Sequence, residues 1–364
     1  MVNSLVEKLQ DPKFFDAFIQ DNMKLSTYKA EWKNEMNVEH EAAKVYQANL
    51  AQYAAAMVGS VIDGHAEKPT HQMPTINQIM GAIAHMGDEW QMDNARLEQY
   101  YYLEGRYRDR RANYTQAQDT AEFSNLVKFL FDPFEKAVIA PHKRIDMLYF
   151  EGLFSGTQTV SRANNQSANV AFTYDLGVKK FAAKVAGWGA ANATPFEDIQ
   201  QVQNWARSHG KVIRKMRMTQ ATFQKMCKAD EIIQSFILKL GKVEVKPSLI
   251  SAQDVNTYLT SVALPTITIE PDRFATLPDG TTINMSVDDR VVFQCADRIA
   301  VLKVSDPLEM IDKLPNKTYS THDDNLVGFY RDRHGRFIDY DMWGTPAFVG
   351  KDDYYILKTD TTSI

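Results

Sequence analysis

The chain has 364 residues, of which 44% are hydrophobic and 24% charged, and its formal net charge is -5. These values fit two or three folded units around sizeable cores and exclude a largely disordered protein. The acidic balance also argues against a dedicated nucleic-acid binder, whose surface must be basic enough to displace counterions from phosphate. It leaves room for weak contact with DNA through a local basic face.

Two cysteines, Cys227 and Cys295, make no disulfide framework in a chain of this length, so a reducing compartment is expected. Residues 1–20 carry charges every few positions and no apolar block, so no signal peptide is expected. No stretch reaches the ~18 uninterrupted apolar residues of a membrane helix.

The first third reads as helix. Tyr46, Leu50, Tyr53 and Met57 recur at i, i+4, i+7 and i+11, one side of a helix. Residues 64–74 break the pattern with glycine, histidine and two prolines. A second run after Thr75 places Ile76, Ile79, Met80, Ile83 and Trp90 on one stripe. It continues through Leu97, Tyr100, Tyr101 and Leu103 to the basic segment Arg106, Arg108, Arg110 and Arg111. Such a stripe needs another surface to bury against, in this chain or in a second copy.

From Phe123 to Phe154 the chain is rich in aromatic and aliphatic residues. Asp132-Pro133 reads as an N-cap and first turn, and Pro141, about two turns on, predicts a kink. Ser155-Gly156 ends the segment, a polar stretch fills 161–169, and Val170 to Tyr174 reads as a short strand. Thr194-Pro195 opens a helix running to about His209, with Gly210 as its stop. Lys211 to Met218 alternates charged with apolar residues, the pattern of a half-buried strand. Thr219 then caps a helix carrying Phe223 and Met226. Ile232, Ile233, Phe236, Ile237 and Leu240 share a face of the next helix, and Ser251 caps a third that ends near Val262. The last hundred residues are mainly β: alternation over Thr266 to Ile269, a turn at Pro278-Asp279-Gly280, and apolar runs at Val291 to Phe293, Ile299 to Leu302 and Tyr354 to Leu357. A hairpin is expected around His334-Gly335.

Catalytic and metal motifs are weak. His40 to Lys44, read as helical, resembles a zinc-protease motif, but Lys44 stands where the second histidine must be. Gly187-Trp188-Gly189 lacks the third glycine of a dinucleotide loop, its place being taken by Asn192, and reads as a turn. His322, Asp323 and Asp324, with Asp332, Asp339 and Asp341, are the densest potential ligands, but lack the alternation of a calcium loop. Neither cysteine has an implied histidine partner. No phosphate loop, nucleophile elbow or Cys-x-x-Cys pair occurs. The two basic clusters, Arg106 to Arg111 and Lys211, Arg214, Lys215 and Arg217, read as solvated or salt-bridged faces. No cofactor, metal or enzymatic activity is expected.

The order of patterns in residues 120–364 resembles that of lambda-type major capsid proteins of tailed bacteriophages. The resemblance rests on LPTITIEPDRF from Leu264 to Phe274, LPDGTT from Leu277 to Thr282 and VDDRVVF from Val287 to Phe293. Upstream, Asp132 to Gly156 is similar to the family's spine helix and Val170 to Gly177 to the strand after it. Trp188, with Thr194 to Asp198, resembles the entry to an axial-domain helix, Arg217 to Thr219 the step that follows, and Trp343 to Lys358 the closing strand. The family places an N-terminal arm and an extended two-stranded loop before the spine helix, whereas this sequence reads as helix there.

The resemblance implies an α+β, Hong Kong 97-like capsid fold with spine helix, peripheral and axial domains, and here an additional helical N-terminal region. It implies an arm, helical region and loop over 1–120 and a peripheral domain over 121–190. An axial domain with connecting strands would span 191–325, and strands returning to the peripheral domain 326–364. It further implies hexamers and pentamers of this chain in an icosahedral shell, built in the host bacterial cytoplasm around double-stranded DNA that it touches weakly and non-specifically. Portal, scaffold or decoration proteins are partners the family allows; a membrane is not. Trp90, Tyr100, Tyr101, Tyr102, Arg106, Arg108 and Arg110 are the expected intersubunit contacts. The alternatives are a cellular nanocompartment shell of the same fold, a tail tube protein, and a hydrolase using His322 with Asp323 or Asp324.

Overall fold

The computed structural model describes residues 4–50, 77–161, 163–165, 171–240, 246, 250–277, 279–332, 335–350 and 352–362. The N-terminal part holds α1 (Leu5–Lys8), α2 (Pro12–Leu25), α3 (Trp32–Glu35) and five strands: β1 (Met36–His40), β2 (Val45–Leu50), β3 (Asn77–Ala82), β4 (His85–Met86) and β5 (Glu89–Met92). Next come α4 (Asn94–Arg110), the long α5 (Gln116–Ser155), β6 (Thr157–Val160), β7 (Phe172–Asp175) and β8 (Lys180–Ala182). A mixed region follows: α6 (Pro195–Ser208), β9 (Lys215–Thr219), α7 (Gln220–Met226), α8 (Asp230–Leu240), α9 (Ala252–Ser261), β10 (Thr266–Glu270), β11 (Phe274–Thr276) and β12 (Thr282–Asn284). The chain closes with β13 (Arg290–Gln294), β14 (Ala300–Ser305), α10 (Leu308–Ile311), β15 (Lys317–His322), β16 (Asn325–Asp332), β17 (Gly335–Phe348) and β18 (Tyr354–Lys358).

One sheet is organised by β17, which pairs with β16 and β5 along its first half and with β14 and β4 along its second. The path β1-β14-β17-β16-β15 completes it. Helix α5 lies against this sheet: Phe134 meets Phe329, Tyr149 stacks on Phe348, and Gly152 sits where an added Cβ would come within 2.5 Å of the Phe348 ring. Only glycine permits that approach. Gly156, with φ 69°, ends the helix in the left-handed conformation that residues with a Cβ disfavour.

The second sheet, β10-β9-β13-β18-β8, is a wall between two apolar cores. Side chains alternate across a strand. Val292, Tyr354 and Ile356 accordingly belong to the α5 core. Val291, Phe293, Tyr355 and Leu357 join Met216 and Met218 in a core closed by α6 to α9. The predicted starts of α6, α7 and α9 are borne out: Thr194-Pro195 precedes α6, and Thr219 and Ser251 accept from the backbone N–H of Thr222 and Asp254. Gly210, at φ 70°, follows α6 as expected. The turn after β11 has Gly280 at φ 85°, and β16 and β17 form the expected hairpin.

Five expectations fail. Val45–Leu50 is a strand paired with Asn77–Ala82, so the helix expected over Tyr46 to Met57 does not form in its described part; Tyr53 and Met57 lie outside the described residues. The resulting two-stranded ribbon pairs with no other strand among the described residues. The helix expected from Thr75 through Trp90 is instead β3, β4 and β5, helix beginning only at Asn94. Residues 85–92 take their hydrogen bonds from β17, a partner that local periodicity cannot reveal. His40 likewise ends β1 and does not lie on a helix. The strand expected from Lys211 starts only at Lys215.

The fifth failure is Pro133. It does not start a helix, and Pro141 does not interrupt one: α5 runs 40 residues across both, capped by Thr115. A proline removes the N–H that would bond the carbonyl four residues back. Here both orphaned carbonyls find donors from elsewhere. Arg96 Nη2 donates to the Phe129 carbonyl at 3.0 Å, and Asn325 Nδ2 to the Ala137 carbonyl at 3.1 Å. Asn325 is fully buried. Asn325→Ala is therefore expected to lower stability by about 1–3 kcal/mol by stranding a buried acceptor. In urea denaturation the loss should shrink when Pro141→Ala is added, because the helix then supplies its own N–H; an unchanged loss would contradict this.

Candidate intersubunit surface

Helix α4 carries most of the residues expected at contacts. Its N-cap, Asp93, accepts from the Arg96 N–H at 2.7 Å. Leu97, Tyr100 and Glu104, at i, i+3 and i+7, form its buried stripe. Glu104 is held there by the Ser4 hydroxyl at 2.8 Å and by Arg108 at 2.9 Å. Tyr100 is thus a core residue, 1% exposed, its phenol pushed well above the ordinary value by burial and by Glu104.

Its two neighbours point outward: Tyr101 is 40% and Tyr102 67% exposed. Tyr102, Arg106 and Arg110 recur every four residues along one exposed flank. Tyr101 and Arg108, seven apart, share another, where Tyr101 Oη accepts from Arg336 at 3.3 Å. Trp90 is not on this helix. It sits half-buried on β5 and stacks on Tyr340 with ring centres 5.8 Å apart. Arg111 pairs with Asp119 at 3.2 Å, so part of the basic segment is neutralised within the chain.

Other exposed apolar groups went unread in the sequence. Val45 stands at the root of the β2–β3 ribbon and Phe274 on the β11–β12 hairpin. Leu308, Ile311 and Leu314 project from the α10 segment. Their spacing of three was the available signal, masked by the surrounding β pattern. Between α5, β5 and the β11–β12 hairpin runs a groove of about 760 Å³, lined on α5 by Asp132, Lys136, Ile139 and Lys143 and opposite by Trp90 and Leu277.

The residues considered for chemistry are dispersed. Asp323 and Asp324, both at positive φ, form the two-residue turn of the β15–β16 hairpin. His322 contacts Gln20 at 3.1 Å and Asp323 at 3.3 Å, while Asp323 also pairs with Lys33. Asp332 accepts from the Gly335 N–H, Asp339 pairs with Lys317, and Asp341 with His85 at 2.7 Å. No group of three or more His, Cys, Asp or Glu suited to a metal occurs among the described residues. Burial pushes the Cys227 thiol up to about 12 and that of Cys295 to about 11, values at which neither is a ready nucleophile. In the second basic cluster Lys211 pairs with Asp353 and Arg214 with Asp297.

No family model and no curated protein matches the chain. Solved structures do. A prophage protein of E. coli CFT073, assigned as a capsid protein, aligns over 95% of this chain and 98% of its own, with a TM-score of 0.55 at 9% identity. A phage-related protein of Bordetella bronchiseptica RB50 aligns over 94% and 97% (TM-score 0.45, 10% identity), and the capsid of Myoviridae phage XM1 over 93% and 98% (0.42, 10%). The first of these shows the fold: the chain is a mixed α and β protein with the tailed-phage capsid architecture. Helix α5 contains the segment Asp132 to Gly156 that the sequence resemblance likened to a spine helix, apart from its closing Gly156 cap, and the two-stranded β2–β3 ribbon precedes it in the chain.

Proposed function

We propose that this chain is the major capsid protein of a tailed bacteriophage, assembling as hexamers and pentamers into an icosahedral head around double-stranded DNA. The observation that carries the reading is the fold match spanning nearly the whole of both chains. A ribbon that pairs with no other strand among the described residues supports it, because edges and apolar groups left open within one chain are readily covered by further copies. Many modest contacts repeated by symmetry sum to a stable assembly. The lambda-type motifs between Leu264 and Phe293 favour that branch of the family.

The α5 core would form the peripheral domain and the α6–α9 core the axial domain, with the 326–364 strands returning to the former. The role is structural rather than catalytic, in the virion after assembly in the host cytoplasm, with scaffold, portal or decoration proteins as further partners. A net charge of -5 suits an inner face that holds DNA without gripping it.

The outward side chains of α4, namely Tyr101, Tyr102, Arg106, Arg108 and Arg110, are the proposed contacts, with Trp90 at the adjoining groove. Sedimentation velocity tests this. The native 41.4 kDa chain should sediment as rings or larger particles. The Tyr101→Ser, Tyr102→Ser double variant should melt within about 1 kcal/mol of the native chain yet shift toward monomer. A native chain that stays monomeric, or a variant that assembles unchanged, would contradict the respective claim.

A further inference from the structure

Residues 26–35, which lead from α2 to β1, cross α5 as a strap and meet a fully buried carboxylate, Asp146. Asp146 accepts from the Trp32 backbone N–H at 2.8 Å and from the Tyr28 hydroxyl at 3.3 Å. It forms no ion pair among the described residues. The charged or titratable groups facing it are Tyr28 and Glu31 on the strap and Lys143 on its own helix. Lys143 itself lies over the Tyr28 ring, 5.1 Å from its centre. One turn earlier on α5, buried His142 stacks on Trp32 and accepts from its indole N–H at 3.4 Å. Lys33, His322 and Asp323 surround that histidine. All the direct donors to Asp146 therefore come from the strap. Lifting the strap would remove those donors and hydrate the carboxylate.

We propose that the strap is a proton-governed clamp: it is seated on α5 while Asp146 carries a proton and loosens locally when Asp146 is ionised. A buried carboxylate without a cation is the unfavourable state, and opening relieves it. Burial, partly offset by the Trp32 N–H and Lys143, raises the Asp146 carboxyl to about 6. The sign follows. A carboxyl raised in the closed state stabilises closure fully below its ordinary value, and that contribution is lost as pH rises through about 6. Because β1 directly follows the strap and the β2–β3 ribbon follows β1, the clamp would govern how firmly the root of the ribbon is held.

Hydrogen–deuterium exchange on the full chain, corrected for intrinsic rates, tests this. Protection of amides 28–38 should fall about tenfold between pH 5 and 8, the change linkage gives for a carboxyl moved from its ordinary value to about 6. Amides of β13 should hold steady. Asp146→Asn, which keeps an acceptor for the Trp32 N–H, should remove the pH dependence. A flat native profile, an equal fall in β13, or a persistent fall in Asp146→Asn would overturn the clamp. Should that variant not fold, Tyr28→Phe takes its place: losing a donor to the charged form must move the native midpoint upward, and an unmoved midpoint would overturn it equally.

Discussion

Arg217→Met is expected to destabilise the fold by about 3–5 kcal/mol, the cost of leaving Glu35 without its paired cation and Glu270 with one cation in place of two. Arg217 is 3% exposed on the α5 side of the wall between the two cores, opposite Val292 in the register. Its guanidinium donates to Glu270 at 2.6 and 3.1 Å and in fork geometry to Glu35 at 2.8 Å for both bonds. Tyr149 adds a hydroxyl to Glu35 at 2.9 Å. Arg273, lying 4.2 Å from the Phe150 ring centre, donates to Glu270 at 2.9 Å and pairs with Glu31. The network thus ties the strap and α3 to α5 and to β9 and β10.

Removing only the cation strands Glu35 and leaves Glu270 with Arg273 alone, whereas adding Glu35→Gln and Glu270→Gln should return most of the loss. Guanidinium denaturation of the single and triple variants measures both. A single variant within about 1 kcal/mol of the native chain would mean that water already reaches the site.

The same network fixes the acid limb of stability. Burial alone would raise the Glu35 carboxyl, but hydrogen bonds and attraction from Arg217 outweigh it and hold the group below the usual range. A depressed carboxyl contributes stability above its unfolded value, and that contribution is lost as pH falls through the folded value. Asp146 acts with the opposite sign, so the native fold should be firmest between the two transitions, in mildly acidic solution.

Phe134→Ala carries the second large effect, about 3–5 kcal/mol from lost burial and the cavity left behind. Phe134 is fully buried where three elements meet. Its ring centre lies 5.7 Å from Phe15, 5.9 Å from Phe18 and 5.7 Å from Phe329, so α2, α5 and β16 share it. Phe134→Leu should cost less than half as much, since the larger remnant leaves a smaller hole. A cost for Phe134→Ala below about 1 kcal/mol would show that α2 is not seated on α5 as described.

Legibility in the sequence followed how local the determinants were. The caps at Thr219 and Ser251, the Thr194-Pro195 start and the Asp279-Gly280 turn each depend on neighbours within four residues, and all four were read correctly. Residues 77–92 failed because their strand character comes partly from β17 near the other end of the chain. The two prolines misled because their orphaned carbonyls are served by Arg96 and Asn325, side chains remote in sequence. Arg217 looked like one charge in a solvated alternation; its burial depends on Glu35 and Glu270 arriving from other elements.

The candidate surface was half legible for a similar reason. Consecutive tyrosines at 100, 101 and 102 must face different ways on a helix. Nothing local said that Tyr100, beside the Ser4–Glu104 bond, would be the one turned inward.

Electron microscopy of the chain, expressed and purified alone, weighs most directly on whether its copies close around symmetry axes. Five- and six-membered rings or hollow particles tens of nanometres across are the predicted images. A well-folded monomer that persists at every concentration and salt tried would contradict it.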